Sequence, residues 1–234
     1  MGLVFWVVVL LVGIPAGLWL LVSLFGFIGI NNARKMRLVP MNDAASAFFL
    51  QRMQASAQTD SVRWGFANQL QPVGAFHVMD AGQKVDFVAW QIPDQSTWMV
   101  TYLINDSIVM VDLTSEVGPY NVTTCTRQDS HMLIPPATSF LQSFSNLDTQ
   151  NLYLRHQEAV NYIQSQSGVS ISPTTQDFAQ SFLAANLKTL ETSQSLPLWW
   201  LRIPYWYFVR QNVRHNKPIA TLYPTVPRVN EIQR

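Results

Sequence analysis

The chain has 234 residues, enough for one ordinary domain with additional segments. Its formal net charge is +1 and it contains one cysteine, which excludes a strongly charged protein and an internal disulfide framework. Hydrophobic residues make up 48% of the chain but are unevenly distributed, which indicates separate membrane and soluble parts.

An uninterrupted apolar stretch lies near the start of the chain. Residues 3–30 contain no charged side chain, and about 20 apolar residues are enough to cross a bilayer as a helix. The alternative is a cleaved signal peptide, whose apolar region is only about 7–15 residues long behind a positively charged start. Since no Lys or Arg precedes this stretch, we expect residues 1–37 to form an uncleaved transmembrane anchor with a basic flank.

Three basic residues, Arg34, Lys35 and Arg37, follow the apolar stretch and predict its orientation. The N-terminal side carries only the α-amino group, so the positive-inside rule places the C-terminal side in the cytoplasm. We therefore expect a single-pass protein of the cell membrane with its N-terminus outside and its soluble domain in the cytoplasm. The single cysteine, Cys125, agrees with a reducing compartment.

Charge is distributed in three parts along the chain. Residues 1–37 carry three basic and no acidic side chains, residues 38–196 carry six basic and thirteen acidic ones, and residues 197–234 carry six basic and one acidic. Basic ends around an acidic middle suit an anionic membrane surface, where each Lys or Arg contributes about 1 kcal/mol. A nucleic-acid-binding protein needs a continuous basic stripe on a recognisable module, so we expect no nucleic-acid partner.

Residues 38–69 are predicted to form a juxtamembrane helical segment. Asn42 is a typical helix cap, and the good helix formers behind it predict a helix over residues 43–57. This helix could lie on the membrane or pack on the domain. A second short helix over residues 61–70 is expected to lead into the first strand.

From residue 72 onward the hydrophobic period becomes two. Five runs rich in Val, Ile, Thr and aromatic residues are separated by turn residues, and both faces of these runs are apolar. Helical spacing follows in residues 146–168 and 172–195. We therefore expect an α+β fold over residues 70–195, in which a five-stranded antiparallel meander packs with C-terminal helices, behind a single N-terminal transmembrane helix.

The segment LPLWWLRIPYWYFVRQ, residues 196–211, concentrates aromatic residues between arginines. Trp and Tyr with flanking Arg are typical of the bilayer interface, whereas two prolines and the short length argue against a second span. The alternative is that these aromatics close the core over the second face of the sheet. Residues 196–234 are thus predicted to be a membrane-interface segment and an irregular tail. The candidate membrane-interface residues are Trp199, Trp200, Arg202, Tyr205, Trp206, Tyr207, Phe208 and Arg210.

The sequence contains no motif that identifies a reaction. We find no glycine-rich phosphate loop, nucleophile elbow or dinucleotide fingerprint, and the cysteine has no C-x-x-C partner. We therefore predict no metal, cofactor or catalytic residue. The four histidines never fall at the spacing of metal ligands: His77, His131, His156 and His215.

Isolated polar residues leave two further expectations. His156, two residues before Glu158 in a predicted helix, is expected on a solvated face, and His77 is expected to be a hydrogen-bonded sheet histidine. The carboxylates of Asp86, Asp112 and Glu116 lie on predicted strands and could converge in space, or protect sheet edges.

These features favour a non-enzymatic role: an accessory or scaffold subunit that contacts the lipid bilayer and a membrane-protein partner or a second copy of itself. An enzyme or carrier for a lipid-like substrate is the alternative, and it requires a pocket between the sheet and residues 196–209. A sensor domain, the third option, requires a deep and partly polar pocket far from the membrane.

Overall fold

The computed structural model describes residues 2, 6, 9–55, 60–79, 84–92, 97–127, 133–171 and 177–229. Within these residues a seven-stranded mixed sheet forms the centre of an α+β domain, and one apolar helix precedes it. The predicted fold class and N-terminal apolar helix are confirmed, but the sheet is larger than the five-stranded meander that the sequence predicts. His131 lies outside the described residues.

The apolar helix, α1, spans Ile14–Ala33 and follows a π-helical turn at Val9–Gly13. Pro15 follows this turn by two residues and has no backbone N–H to donate, so one hydrogen bond of the helical ladder is missing there. Leu11–Ala33 is a helical stretch of 23 residues, which by length and composition can cross a membrane. Most of its residues are exposed, and few of them are buried.

The strands follow one another in the sheet in the order of the chain, so the topology is simple. Neighbouring strands are antiparallel from the first to the sixth, and the last pair is parallel. The strands are β1 (Arg37–Pro40), β2 (Gln71–Met79), β3 (Val85–Ile92), β4 (Thr97–Ile104), β5 (Ile108–Val117), β6 (Tyr120–Cys125) and β7 (Ser139–Ser143).

The two strands that the sequence analysis missed are the two edges of the sheet. β1 has only four residues, ends at Pro40 and directly follows the basic cluster, so it shows no clear alternation. β7 has five residues and pairs in parallel with β6. The 13 residues between Cys125 and Ser139 are enough for this pairing, since parallel neighbours need a connection of about a dozen residues or more.

The four helices that the sequence predicts before residue 196 occur at approximately the predicted positions, and short helices also occur beyond residue 198, where the sequence predicts an interface segment and an irregular tail. The Asn42 side chain accepts a hydrogen bond from the amide of Ala45, Asp148 caps the longest domain helix, and Gly168 ends that helix with φ of 73°. The helices are α2 (Asp43–Ala55), α3 (Asp60–Ala67), α4 (Thr149–Ser167), α5 (Phe178–Ser195), α6 (Trp199–Tyr205), α7 (Asn212–Arg214) and α8 (Ile219–Leu222).

One face of the sheet is covered by α2, α3 and α4. Met53, Val62 and Leu152, one from each helix, are almost completely buried against a core that includes Trp90 and Leu113. Burying an aliphatic side chain of this size contributes about 1.5–3 kcal/mol, so this layer is a principal source of the domain's stability.

The opposite face of the sheet is covered by α5. Phe178 and Phe182 pack among the aromatic rings of Phe76, Phe87 and Trp98. Both faces of the central strands are therefore buried, which explains why their sequences are apolar on both sides.

The C-terminal tail is packed on the domain near β7. The buried amide side chain of Gln142 accepts a hydrogen bond from the backbone N–H of Ile219 at 2.7 Å. The hydroxyl of Tyr162 donates to the carbonyl of Tyr223 at 2.8 Å. These contacts fix the chain beyond the aromatic segment to the sheet edge.

Candidate membrane interface

The aromatic segment forms a helical arm rather than a layer on the sheet. α6 is followed without a break by a π-helical turn, Trp206–Gln211, and then by α7. Pro204 lies inside α6 and cannot donate a backbone hydrogen bond, and the π-helical turn begins two residues later. We call residues 198–215, from the N-cap of α6 to the C-cap of α7, the C-terminal arm.

Five side chains that face protein are spaced four residues apart, and Pro204, next to one of them, is buried as well. Ile203 and Gln211 are buried, and Trp199, Tyr207 and His215 are half-buried. A regular α-helix has 3.6 residues per turn, so a four-residue repeat would drift around its surface. The π-helical turn underwinds the arm and keeps this inner face on one side.

The inner face of α6 packs closely on α1. A Cβ atom at Gly26 would lie 3.3 Å from Cδ1 of Ile203, so the absence of a side chain at Gly26 allows the two helices to approach. One helix position further along, Trp199 stacks on Phe27 with ring centroids 5.4 Å apart and an interplanar angle of 20°.

A third helix joins this contact. Ile30 of α1, Leu190 of α5 and Ile203 of α6 form a small buried apolar cluster. On the far side of it the indole N–H of Trp19 donates to the carbonyl oxygen of Leu201 at 3.3 Å. The last turns of α1 are therefore attached to the folded domain through both α5 and the arm.

The other end of the arm is attached to the tail and to β7. The guanidinium of Arg214 lies over the ring of Tyr223, 4.6 Å from its centroid, and 5.9 Å from the ring centroid of Trp206. Nδ1 of His215 and the hydroxyl of Ser143 are hydrogen-bonded at 2.9 Å. The arm thus bridges α1 and the edge of the sheet.

The outer face of the arm is apolar and exposed. Arg202 and Arg210 lie beside it and are exposed as well. Exposed apolar side chains flanked by arginines are the composition of a helix that lies in a membrane interface. The outer apolar residues are Leu198, Tyr205, Phe208, Val209 and Val213, with exposed fractions of 64%, 50%, 50%, 43% and 62%.

The structure separates the eight candidate interface residues into different environments. Tyr205 and Phe208 are on the outer face, together with the two arginines already described. Trp199 belongs to the inner face, and the indole nitrogen of Trp206 is buried. Trp200 and Tyr207 are half-buried.

The three predicted topology-determining residues lie where α1 meets the domain. Arg34, Lys35 and Arg37 are all exposed, and the guanidinium of Arg34 donates to the side-chain oxygen of Gln194 at the end of α5. We call these three residues, which directly follow α1 in the chain, the basic collar.

An exposed charge network at one end of the sheet ties α2 to the β4–β5 turn. Asp106 accepts hydrogen bonds from Lys84 and Arg52, and these bonds lower the pKa of its carboxyl group. Nearby, Nδ1 of His77 and the carboxylate of Asp86 are 2.7 Å apart. His77 is therefore a hydrogen-bonded sheet histidine, as expected from the sequence.

The strand carboxylates do not converge. Asp86 lies on the sheet face covered by α2, next to His77, whereas Asp112 lies on the face covered by α5, next to Tyr102. Burial, and then the neighbouring Asp112, raise the pKa of the Tyr102 hydroxyl well above its ordinary value. Glu116 is four residues further along the strand from Asp112. Opposite faces of one sheet cannot form a single acid–base site.

The expectation that His156 is solvated is wrong. Only 1% of its surface is exposed, because it follows Leu152 by four residues and shares the core face of α4. Nε2 is hydrogen-bonded to the hydroxyl of Ser115 at 2.8 Å and Nδ1 to that of Thr124 at 3.0 Å. The solvent-exposed face of α4 instead carries the ion pair between Arg155 and Glu158.

The Ser115–His156 pair has the distance of a nucleophile and its base but not the surroundings. Both residues are buried in the core, and Thr124, which binds the second ring nitrogen, is also fully buried. Burial lowers the pKa of His156 to about 3, so the imidazole is neutral at physiological pH. Ser115, His156 and Thr124 therefore form a buried hydrogen-bond network between the sheet and α4.

Comparison with protein-family models, curated proteins and solved structures gives no match for this chain. No group of three or more metal-ligating side chains occurs within the residues that the structure describes. The arm, with an inner face on α1 and an exposed apolar outer face, is the feature that calls for a functional explanation.

We predict that the neutral His156 makes stability depend on pH. Its pKa is about 3 in the folded chain and about 6.5 when unfolded, so the unfolded state binds more protons in this range. Above pH 6.5 His156 is neutral in both states. Below pH 6.5 the unfolded state takes up a proton, so the free energy of unfolding falls by about 1.4 kcal/mol for each pH unit. Chemical denaturation of the full chain in mild detergent measures this slope between pH 6.5 and 5.

His156→Gln is expected to flatten this part of the curve. Gln166→Ala, an exposed change on the same helix, is the matched control and is expected to keep the original slope. If the free energy of unfolding of the His156→Gln protein still fell by about 1.4 kcal/mol per pH unit, His156 would not be the cause of the pH dependence.

We also predict that the α1–arm contact depends on Gly26. A leucine at this position would be forced into Ile203, and overpacking a close contact costs about 1–3 kcal/mol. Hydrogen exchange in the α6 peptide should then accelerate by roughly tenfold or more. Gly29→Leu is the control, because no atom lies within 4 Å of its added Cβ. Equal exchange in both variants would show that the contact does not hold the arm.

Proposed function

We propose that this chain is a membrane-anchored accessory or scaffold protein whose α+β domain binds another component of a membrane assembly. The observation that carries the proposal is the contrast between two sides of α1. Contacts from Trp19 to Ile30 pack one side on the arm and α5, whereas the remaining surface is apolar and largely exposed.

The size of this exposed surface favours a bilayer over water. Removing these half-exposed side chains from water is worth on the order of 10 kcal/mol in total, which exceeds the net stability contributed by any single contact in the domain. Eleven large apolar residues of the span are exposed: Leu11, Val12, Ile14, Leu18, Trp19, Leu20, Leu21, Leu24, Phe25, Phe27 and Ile28.

The basic collar supports the proposed orientation. Arg34, Lys35 and Arg37 are exposed at the domain end of α1, and basic residues next to a span favour the cytoplasmic side. The domain is then cytoplasmic, and the N-terminus lies across the membrane.

The structural partners of the described histidines support a binding role over an enzymatic one. His77 pairs with Asp86, His156 lies in the core, and His215 binds Ser143. Among the residues that the structure describes, this favours a role that depends on surfaces over one that depends on a reacting histidine.

Cysteine accessibility tests the orientation. Cys125 is buried, so cysteines introduced as Gly2→Cys and Gln54→Cys at exposed positions can be labelled selectively. In intact cells a membrane-impermeant maleimide is expected to label only the N-terminal cysteine, and Gln54→Cys only after permeabilisation. The reverse pattern would place the domain on the other side.

The accessory role requires a stable assembly at native expression level. In mild detergent the chain is expected to migrate in a complex larger than one 26.6 kDa protomer in its detergent belt. A strictly monomeric protein would contradict the proposed scaffold role, whatever the orientation of the anchor.

A further inference from the structure

The outer face of the C-terminal arm lies opposite the inner face, which packs on α1 and on the C-terminal tail. Ile203 contacts α1, and Arg214 contacts the tail, so the arm is held along its inner side. Tyr205, Phe208 and Val209 point outward on the same helical stretch. We propose that this outer face docks on the surface of an anionic bilayer, on the side of the membrane that carries the domain. The inference rests on the membrane anchoring proposed above.

The depth of the arm along α1 fits an interfacial helix. Ile203 meets α1 at Gly26, five residues before Asn31, the first polar residue after the apolar stretch. At 1.5 Å per residue, this contact is about 7–8 Å inside the apolar part of the helix. Interfacial amphipathic helices bury their apolar face about 5–10 Å into the boundary between headgroups and acyl chains. The Ile203 contact therefore lies at the depth expected of an interfacial helix, and the Leu201 carbonyl, which accepts from Trp19, lies deeper along α1.

The charges around the outer face select an anionic surface. Arg202, Arg210 and Lys217 are exposed on or just beyond the arm, and Arg34 and Lys35 are exposed at the end of α1. Arginine and lysine side chains extend from the interface to reach headgroups while their aliphatic parts stay on apolar surface. The acidic body of the domain is repelled from the same surface, so the arm is the part of the chain that electrostatics brings to it.

A lipid surface fits the outer face better than a second copy of the chain does. The exposed apolar residues form a narrow strip of five side chains along one helix, whereas a stable protein interface involves about 20–30 residues on each partner. A bilayer requires no matching shape, so a narrow strip next to a membrane helix is sufficient.

Docking of the outer face would fix how the domain sits on the membrane. A single span allows a domain to rotate and tilt about its linker, but here the arm connects α1 to Ser143 at the sheet edge through His215. With the outer face in the interface, the β7 edge of the domain is held near the membrane. The surfaces of the domain that lie away from this edge remain open to a partner.

Nitroxide scanning of the full chain in lipid nanodiscs tests the proposal. Labels are placed at Phe208→Cys on the outer face, at Leu154→Cys on α4 as an apolar control of similar exposure, 46% against 50%, and at Leu18→Cys in α1. In discs with anionic lipid, the labels at 208 and 18 are expected to collide with oxygen and to be protected from a water-soluble nickel complex. The label at 154 is expected to be open to nickel.

The outcomes separate the failure of the arm from the failure of the anchor. Nickel access at 208 with protection at 18 overturns the docking proposal and leaves the anchor intact. Nickel access at both positions overturns the membrane anchoring itself. Shielding of 208 from oxygen and nickel together means that protein, such as a second copy, covers the outer face, and this also overturns the proposal.

The charge selectivity is tested with Arg202→Gln and Arg210→Gln. On anionic discs each change is expected to lower the ratio of lipid-exposed to water-exposed spectral components at position 208 by about fivefold. Arg155→Gln, on an exposed face of α4, is the control and is expected to leave the ratio unchanged. Equal docking on neutral and anionic discs would overturn the assignment of an anionic surface.

Discussion

The contact between Ile203 and Gly26 determines how the apolar helix and the folded domain form one structure. A helix that leaves a domain through a short connection has no fixed direction unless another element packs against it. Here the missing side chain at Gly26 lets Ile203 approach α1 closely, and Trp199 stacks on Phe27 beside it. Because the contact involves backbone proximity rather than one strong bond, it is sensitive to small changes in side-chain volume.

The π-helical turn gives the arm its second attachment. An unbroken α-helix that packed on α1 through Ile203 would rotate its later residues away from the domain. Underwinding at Trp206–Gln211 instead keeps Gln211 and His215 on the inner face, so the same helix reaches Ser143 at the sheet edge. The opposite side is left apolar, and this pattern is explained if two different environments contact the arm, protein on one side and lipid on the other.

Much of the architecture could be read from the sequence because it depends on local patterns. The apolar helix, the helix after Asn42, the helix within residues 146–168 and the five central strands have clear periodicity or a capping residue. The edge strands β1 and β7 did not, because four or five residues are too few to show alternation and β7 pairs through a long crossover.

The candidate interface could be predicted only in part. Aromatic composition located the segment, but composition cannot separate two faces of one helix, so Trp199 and Phe208 were grouped together although they face different neighbours. The inner face depends on a π-helical turn that follows no simple sequence rule, so its residues could not be assigned from the sequence. His156 was misplaced for a different reason: its charge neighbours were considered before its phase relative to Leu152.

The most direct test of this account is the distance between anchor and domain in a lipid nanodisc. Nitroxides at the exposed positions Ile28→Cys on α1 and Leu154→Cys on α4 would be measured by double electron–electron resonance in the full chain. If the arm holds the two parts together, the distribution is a single narrow peak. A broad distribution would show that the domain moves freely about its anchor, and it would contradict the account.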